Sequence, residues 1–124
     1  MNITKFSIYH NPKCSKSRQT LELLKIKTNN YEMIEYLKIK IIKKDLKESL
    51  KYLDAPIYNV IRDNEIIFKN MKVNKIDLSV NDVLNLIIQI PMLLQRPLVT
   101  KYVNGKAVMS IISRPPEKIN SFVN

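Results

Sequence analysis

Lys5-Phe6-Ser7-Ile8-Tyr9-His10-Asn11-Pro12-Lys13-Cys14-Ser15-Lys16-Ser17-Arg18 passes through three local patterns in succession. Lys5 to Tyr9 alternates polar and apolar side chains, which predicts a strand. His10 to Cys14, with Pro12 inside it, reads as a turn. From Ser15 to Ile26, Leu21 and Leu24 fall at helical spacing, which predicts a helix. Tyr31 to Tyr36 reads as a second strand, so the chain opens with a β-α-β unit. A parallel crossover of this kind is right-handed. It puts the Cys14 turn at the C-terminal edge of the first strand, where open α/β sheets build their sites.

The same stretch gathers the only histidine, the only cysteine and one of the four arginines, Arg18. A cysteine at a strand-to-helix turn receives the unpaired N–H groups and positive dipole end of the helix. Those groups favour a thiolate and attract an oxyanion. Anion-directed thiol chemistry is the expectation. A lone cysteine forms no internal disulfide and cannot resolve its own oxidation. Bland readings stand beside this one: Cys14 as a small buried hydrophobe, His10 bonding within its loop, and Arg18 tied to a carboxylate. Ser15 and Ser17 read as first-turn caps, and Lys13 and Lys16 as solvated cations.

Composition frames the setting. With 124 residues and 45% hydrophobic content, one domain with its own core is expected. No targeting segment or membrane-length apolar run is visible, and a cytoplasmic location is expected. The net charge of +10 invites a nucleic-acid reading, yet 17 of the 21 basic residues are lysines spread along the chain, and only one residue is glycine. That pattern resembles a drift toward Lys, Ile and Asn, and no aromatic-basic interleaving accompanies it. No nucleic-acid partner is expected. Against such a background the retained arginines Arg18, Arg62, Arg96 and Arg114 stand out, because a planar guanidinium grips oxyanions in a way an ammonium cannot.

Ile42, Leu46, Leu50 and Leu53 mark one helix; Ala55 to Ile61 reads as a short second one opened by Pro56. Asn64 to Asn70 stays ambiguous. Ser79 with Asp82 three residues on is an N-cap signal before the apolar Val83 to Ile90, which Pro91 ends. Leu98 to Val103 and Lys106 to Ile112 flank Asn104-Gly105, a strong hairpin signal because a type I′ turn needs two positive φ angles. A short helix is expected after Arg114-Pro115-Pro116-Glu117.

Tyr9 to Arg18, then Arg62, then Gln95-Arg96-Pro97-Leu98-Val99, then Asn104-Gly105-Lys106-Ala107, then Ser113-Arg114-Pro115-Pro116-Glu117, occur in an order that resembles the glutaredoxin-coupled arsenate reductase family. The likeness spans about residue 3 to residue 122. It implies a thioredoxin-like α/β fold over residues 1–124: β-α-β, a helical insertion at about 40–92, then β-β-α, with a mixed four-stranded sheet. It further implies Cys14 as nucleophile with His10 nearby, and Arg62, Arg96 and Arg114 as oxyanion ligands. Asn11, Ser15, Ser17, Arg18 and Pro97 would support them, with a cis Arg96–Pro97 bond beside the cysteine. Glutathione enters as co-substrate and glutaredoxin as partner in arsenic detoxification. Neither a bound cofactor nor a metal is expected, and the chain is expected to act as a monomer.

Arsenate is a dianion near neutral pH, so a thiolate must approach a centre that repels it. Lowering a thiol pKa from ~8.5 to ~6.5 raises the thiolate fraction at pH 7 from about 3% to about 75%, while intrinsic reactivity falls roughly six- to tenfold. The net gain is only severalfold, so arginine placement is expected to matter more than thiol acidity. The phosphatase-like class of arsenate reductases, with Cys, five residues, then Arg, is excluded because position 20 is Thr20 and no second cysteine exists. This chain departs from the better-known reductases by having Ser15-Lys16 after the nucleophile and Ser113 before Arg114. The alternative is a redox or transcription-associated regulator of the same fold that binds RNA polymerase. That group switches through Cys-x-x-Cys, and Ser17 stands at its second position.

Overall fold

A computed structural model of the chain describes residues 1–124. In chain order the elements are β1 (Thr4–Tyr9), α1 (Ser15–Lys27), β2 (Tyr31–Ile34), α2 (Lys43–Lys51), α3 (Ile66–Met71), α4 (Val80–Gln89), β3 (Leu98–Val103), β4 (Lys106–Ile112) and α5 (Lys118–Val123). Short 3-10 turns occur at Ile57–Val60, Lys75–Asp77 and Pro91–Leu93. The strands form one mixed sheet in the order β2-β1-β3-β4, with β1 parallel to β2 and antiparallel to β3. This is the thioredoxin-like arrangement with a helical insertion between its two halves.

Two apolar layers enclose the sheet. On one face, Phe6 and Ile8 of β1 and Val99 of β3 pack on Leu21 and Leu24 of α1 and on Ile119 and Phe122 of α5. On the other, Tyr9 and Leu98 meet Leu46 and Leu50 of α2 and Val83, Leu84 and Ile87 of α4. The alternation in Lys5–Tyr9 suggested a half-buried strand, whereas Phe6 to Tyr9 are all buried. The insertion helices cover the face that alternation alone would leave wet. Three polar groups on that face pair with one another: Thr100 Oγ1 bonds Ser49 Oγ at 2.7 Å and Ser110 Oγ at 2.9 Å, fixing α2 against the sheet.

Local signals explain most boundaries. Asn104 and Gly105 have φ of 52° and 82°, the two positive angles the hairpin required. Ser79 Oγ accepts from Asp82 N–H and the Asp82 carboxylate accepts from Ser79 N–H, a complete capping box that starts α4. Three expectations need adjustment. The helix expected through Leu53 stops at Lys51, because Ser110 N–H donates to Tyr52 O and Asp54 N–H to Ser110 O, drawing the chain onto the edge of β4. Pro56 precedes a 3-10 turn, its ψ of 140° being extended, and does not sit inside a helix. The second strand ends at Ile34, and Tyr36 turns into the apolar layer beyond it. The Arg96–Pro97 bond is cis; so is Arg114–Pro115, which the sequence did not suggest. No helix is long and apolar enough to cross a membrane.

Candidate active site

One row of the sheet register explains why distant residues meet. Tyr9 pairs with Ile34 of β2 and with Leu98 of β3, and Leu98 pairs with Ile112 of β4. Because β1, β2 and β4 leave the sheet at this edge and β3 enters it there, four segments converge. They are the His10–Cys14 turn, the Tyr36 segment after β2, Arg96-Pro97 before β3, and Ser113-Arg114 after β4.

Cys14 is the N-cap of α1, in extended conformation (φ −97°, ψ 121°), and its side chain caps nothing. Its carbonyl accepts from Arg18 N–H at 3.0 Å and its N–H donates to Asn11 O at 3.0 Å, so the sulfur is fixed at the mouth of the helix. Burial pushes the half-buried thiol up, but the N–H groups of Ser17 and Lys16 and the Arg96 guanidinium outweigh it and hold the pKa below its ordinary value. A nucleophilic thiolate is therefore favoured here.

Two of the expected arginines join it. Arg114 Nη1 donates to the Arg96 carbonyl at 2.9 Å and lies 3.9 Å from Cys14 Sγ. Arg96 acts on the thiol by charge and hydrogen bonding, and its Nε is buried without a protein partner. Arg62 stands further back. Its Nε donates to Glu65 Oε1 at 3.2 Å and its Nη1 to Gln95 Oε1 at 3.0 Å, and the same Gln95 oxygen accepts Arg96 N–H at 3.3 Å. Backbone bonds from Arg62 N–H to Leu93 O (2.8 Å) and from Gln95 N–H to Val60 O (2.7 Å) tie the insertion to the approach of β3. Arg62 thus reaches the site through Gln95, with Glu65 competing for its charge.

The remaining candidates build the turn. His10 is 4% exposed, and its Nδ1 lies 2.6 Å from Ser17 Oγ, which also accepts from Asn11 N–H at 3.1 Å. Ser17 Oγ has no other partner for its hydrogen, so it donates to Nδ1 and the imidazole proton sits on Nε2. Burial lowers the His10 pKa; Glu35 opposes this, and Lys25 and Arg18 add to it. The ring's hydrogen bond goes to Ser17 and not to the Cys14 sulfur. Ser17 bonds residues ahead of the helix and so is not a first-turn cap. Asn11 Oδ1 accepts from Lys13 N–H at 3.0 Å. Arg18 Nη1 donates to Pro12 O at 2.9 Å, bracing the turn through a carbonyl and not a carboxylate. Ser15 is exposed at the start of α1. Pro97 is buried, and its carbonyl accepts from Ser113 N–H at 3.0 Å, linking the two arginine segments.

Two neighbours carried no role in the sequence reading. Gln95 was visible only as part of Gln-Arg-Pro, and Tyr36 only as the end of a strand pattern. The Tyr36 hydroxyl lies among Arg96, Arg62 and Cys14 and faces the Arg96 guanidinium, though no short hydrogen bond closes on it. A cleft of about 590 Å³ opens beside Gln95 and Arg114, with Asp54, Lys118 and Phe122 in its walls. A second, of about 720 Å³, lies along Pro12, Arg18 and Pro116. No grouping of His, Cys, Asp and Glu side chains suits a metal ion. The arrangement is a thiolate with guanidinium and helix N–H donors aimed at the space before it, which suits nucleophilic attack on a tetrahedral oxyanion.

Known proteins resemble the chain along most of its length. The chain is 36% identical to the uncharacterised protein YfgD of Escherichia coli (strain K12) over 94% of each chain. It is 33% identical to an arsenate reductase of Haemophilus influenzae, over 90% of this chain and 93% of that one. The solved structure of an arsenate reductase from Vibrio cholerae superposes with a TM-score of 0.76 at 31% identity, covering 95% of this chain and 97% of that chain. Residues 9–122, from the last residue of β1 to the last turn of α5, match the ArsC family as a whole, and the chain belongs to that family.

Proposed function

We propose that this protein is an arsenate reductase in which Cys14 is the nucleophile, Arg96 and Arg114 hold the oxyanion, and Arg62 adds charge from behind. The observation that carries the reading is Arg114 Nη1 at 3.9 Å from Cys14 Sγ, anchored by the Arg96 carbonyl while Arg96 itself favours the thiolate. The thiolate attacks arsenic and forms an S–As bond as one oxygen leaves, protonated, as water; arsenic stays pentavalent. The arginines offset the repulsion between the two anions. A glutathione thiolate then attacks the Cys14 sulfur. An S–S bond forms, the S–As electron pair remains on arsenic, and arsenite departs as the trivalent product.

Glutaredoxin next reduces the mixed disulfide by thiol exchange and restores Cys14. An external reductant follows from chemistry, since no second cysteine exists to resolve the first. The cleft of about 590 Å³ beside Arg114 falls in the size range of small-ligand sites and is the reading's place for the peptide thiol. No resident cofactor takes part, and the reaction is assigned to a monomer in the cytoplasm. The test is arsenate-dependent NADPH oxidation with glutathione, glutaredoxin and its reductase. Wild type is expected to turn over and Cys14→Ser to give none; equal rates for the two overturn the reading.

A further inference from the structure

Tyr36 lies two residues beyond β2 and is 1% exposed, its ring packed edge-on to Tyr9 at a centroid distance of 6.4 Å. Its backbone is fixed by an N–H bond to Ile34 O at 3.0 Å. The buried hydroxyl faces the Arg96 guanidinium, but no short hydrogen bond closes on it or on Arg96 Nε, and the phenol hydrogen has no acceptor. Leaving such groups unpaired opposes folding, and native proteins contain few of them. The third unpaired group, Ser7 Oγ, sits in mid-strand away from the active edge. The other two lie together, because the groups acting on the Tyr36 hydroxyl are Arg96, Arg62 and Cys14. Both are hydrogen-bond donors, since burial keeps the phenol protonated at neutral pH. An anion with several acceptor oxygens, seated before Cys14, satisfies both at once.

We propose that Tyr36 is a substrate-binding residue whose hydroxyl donates a hydrogen bond to the tetrahedral oxyanion that Arg96 Nε also grips. The assignment rests on the oxyanion reading of the site given above. It adds a neutral donor from the segment after β2 to the guanidinium supplied by Arg114 from the end of β4.

The test compares wild type with Tyr36→Phe, which removes only the oxygen. Thermal melts are recorded without ligand and with arsenate, and arsenate binding is titrated calorimetrically without glutathione. The expected result is a free Tyr36→Phe that melts at or above the wild-type temperature, together with arsenate binding roughly tenfold to a hundredfold weaker. Equal arsenate affinity in the two proteins overturns the assignment. So does a clear drop in the melting temperature of the free variant, which means the hydroxyl already has a resident partner. A wild type that binds no arsenate removes the oxyanion reading itself, and the assignment falls with it.

Discussion

Arg114 and Cys14, a hundred residues apart in the chain, approach to 3.9 Å between Nη1 and Sγ, and the same nitrogen donates to the Arg96 carbonyl at 2.9 Å. The carbonyl bond fixes where the charge sits, so the guanidinium is in position before an anion arrives. Preorganised charge of this kind stabilises a transition state without reorganisation during the reaction.

Replacing Arg114 tests that. Arg114→Ala removes both the charge and the anchor and is expected to lower arsenate kcat/KM by about 10²–10³-fold. Arg114→Lys restores a charge but not the fork that spans carbonyl and anion, so it recovers only part of the loss. Steady-state kinetics read both. An alanine variant within a few-fold of wild type means that Arg114 only holds the Arg96 loop.

Thiol acidity depends on Arg96 as well. Burial pushes Cys14 up while Ser17 N–H, Arg96 and Lys16 N–H bring it down, with Arg96 the only side chain among the lowering groups. Arg96→Ala therefore raises the thiol pKa and slows alkylation by iodoacetamide at pH 7, while rates above the new pKa recover. The pH profile of alkylation measures this. An unshifted profile assigns the acidity to the helix N–H groups and Arg114.

Much of this arrangement was legible beforehand, and the exceptions have physical reasons. Asn104-Gly105 and the Ser79–Asp82 box are local signals whose geometry depends on a few adjacent residues, and the structure contains both. Cys14, Arg96 and Arg114 were named from motif order, and the sheet register brings them to one edge. Tyr36 was hidden because its role depends on a side-chain oxygen buried among residues from other segments, and neither propensity nor periodicity encodes that. The end of α2 was missed for a similar reason: hydrogen bonds to Ser110, far along the chain, override the helical spacing that continues to Leu53. The Glu65 contact with Arg62 lies in a stretch too short for a period to be read.

His10 gives the fold an acid-sensitive point. Burial lowers its pKa from the ordinary 6.5, with Lys25 and Arg18 adding to the effect and Glu35 opposing it. Between 6.5 and the lower folded value, the unfolded chain carries a proton that the folded chain lacks. Stability therefore rises with pH across that window; this contribution is complete above about 6.5 and is lost as pH falls through the folded value. Protonation also makes Nδ1 a donor, so Ser17 can no longer give its hydrogen to the ring across the 2.6 Å contact. Asp63 and Asp82, held below their ordinary 3.8, act in a more acid window and leave this one to the histidine. Urea unfolding midpoints at a series of pH values are expected to fall for wild type below pH 6.5 and to flatten over the same range for His10→Gln, which cannot titrate. Identical slopes for the two proteins mean that His10 keeps its ordinary pKa in the fold and that the acid sensitivity arises elsewhere.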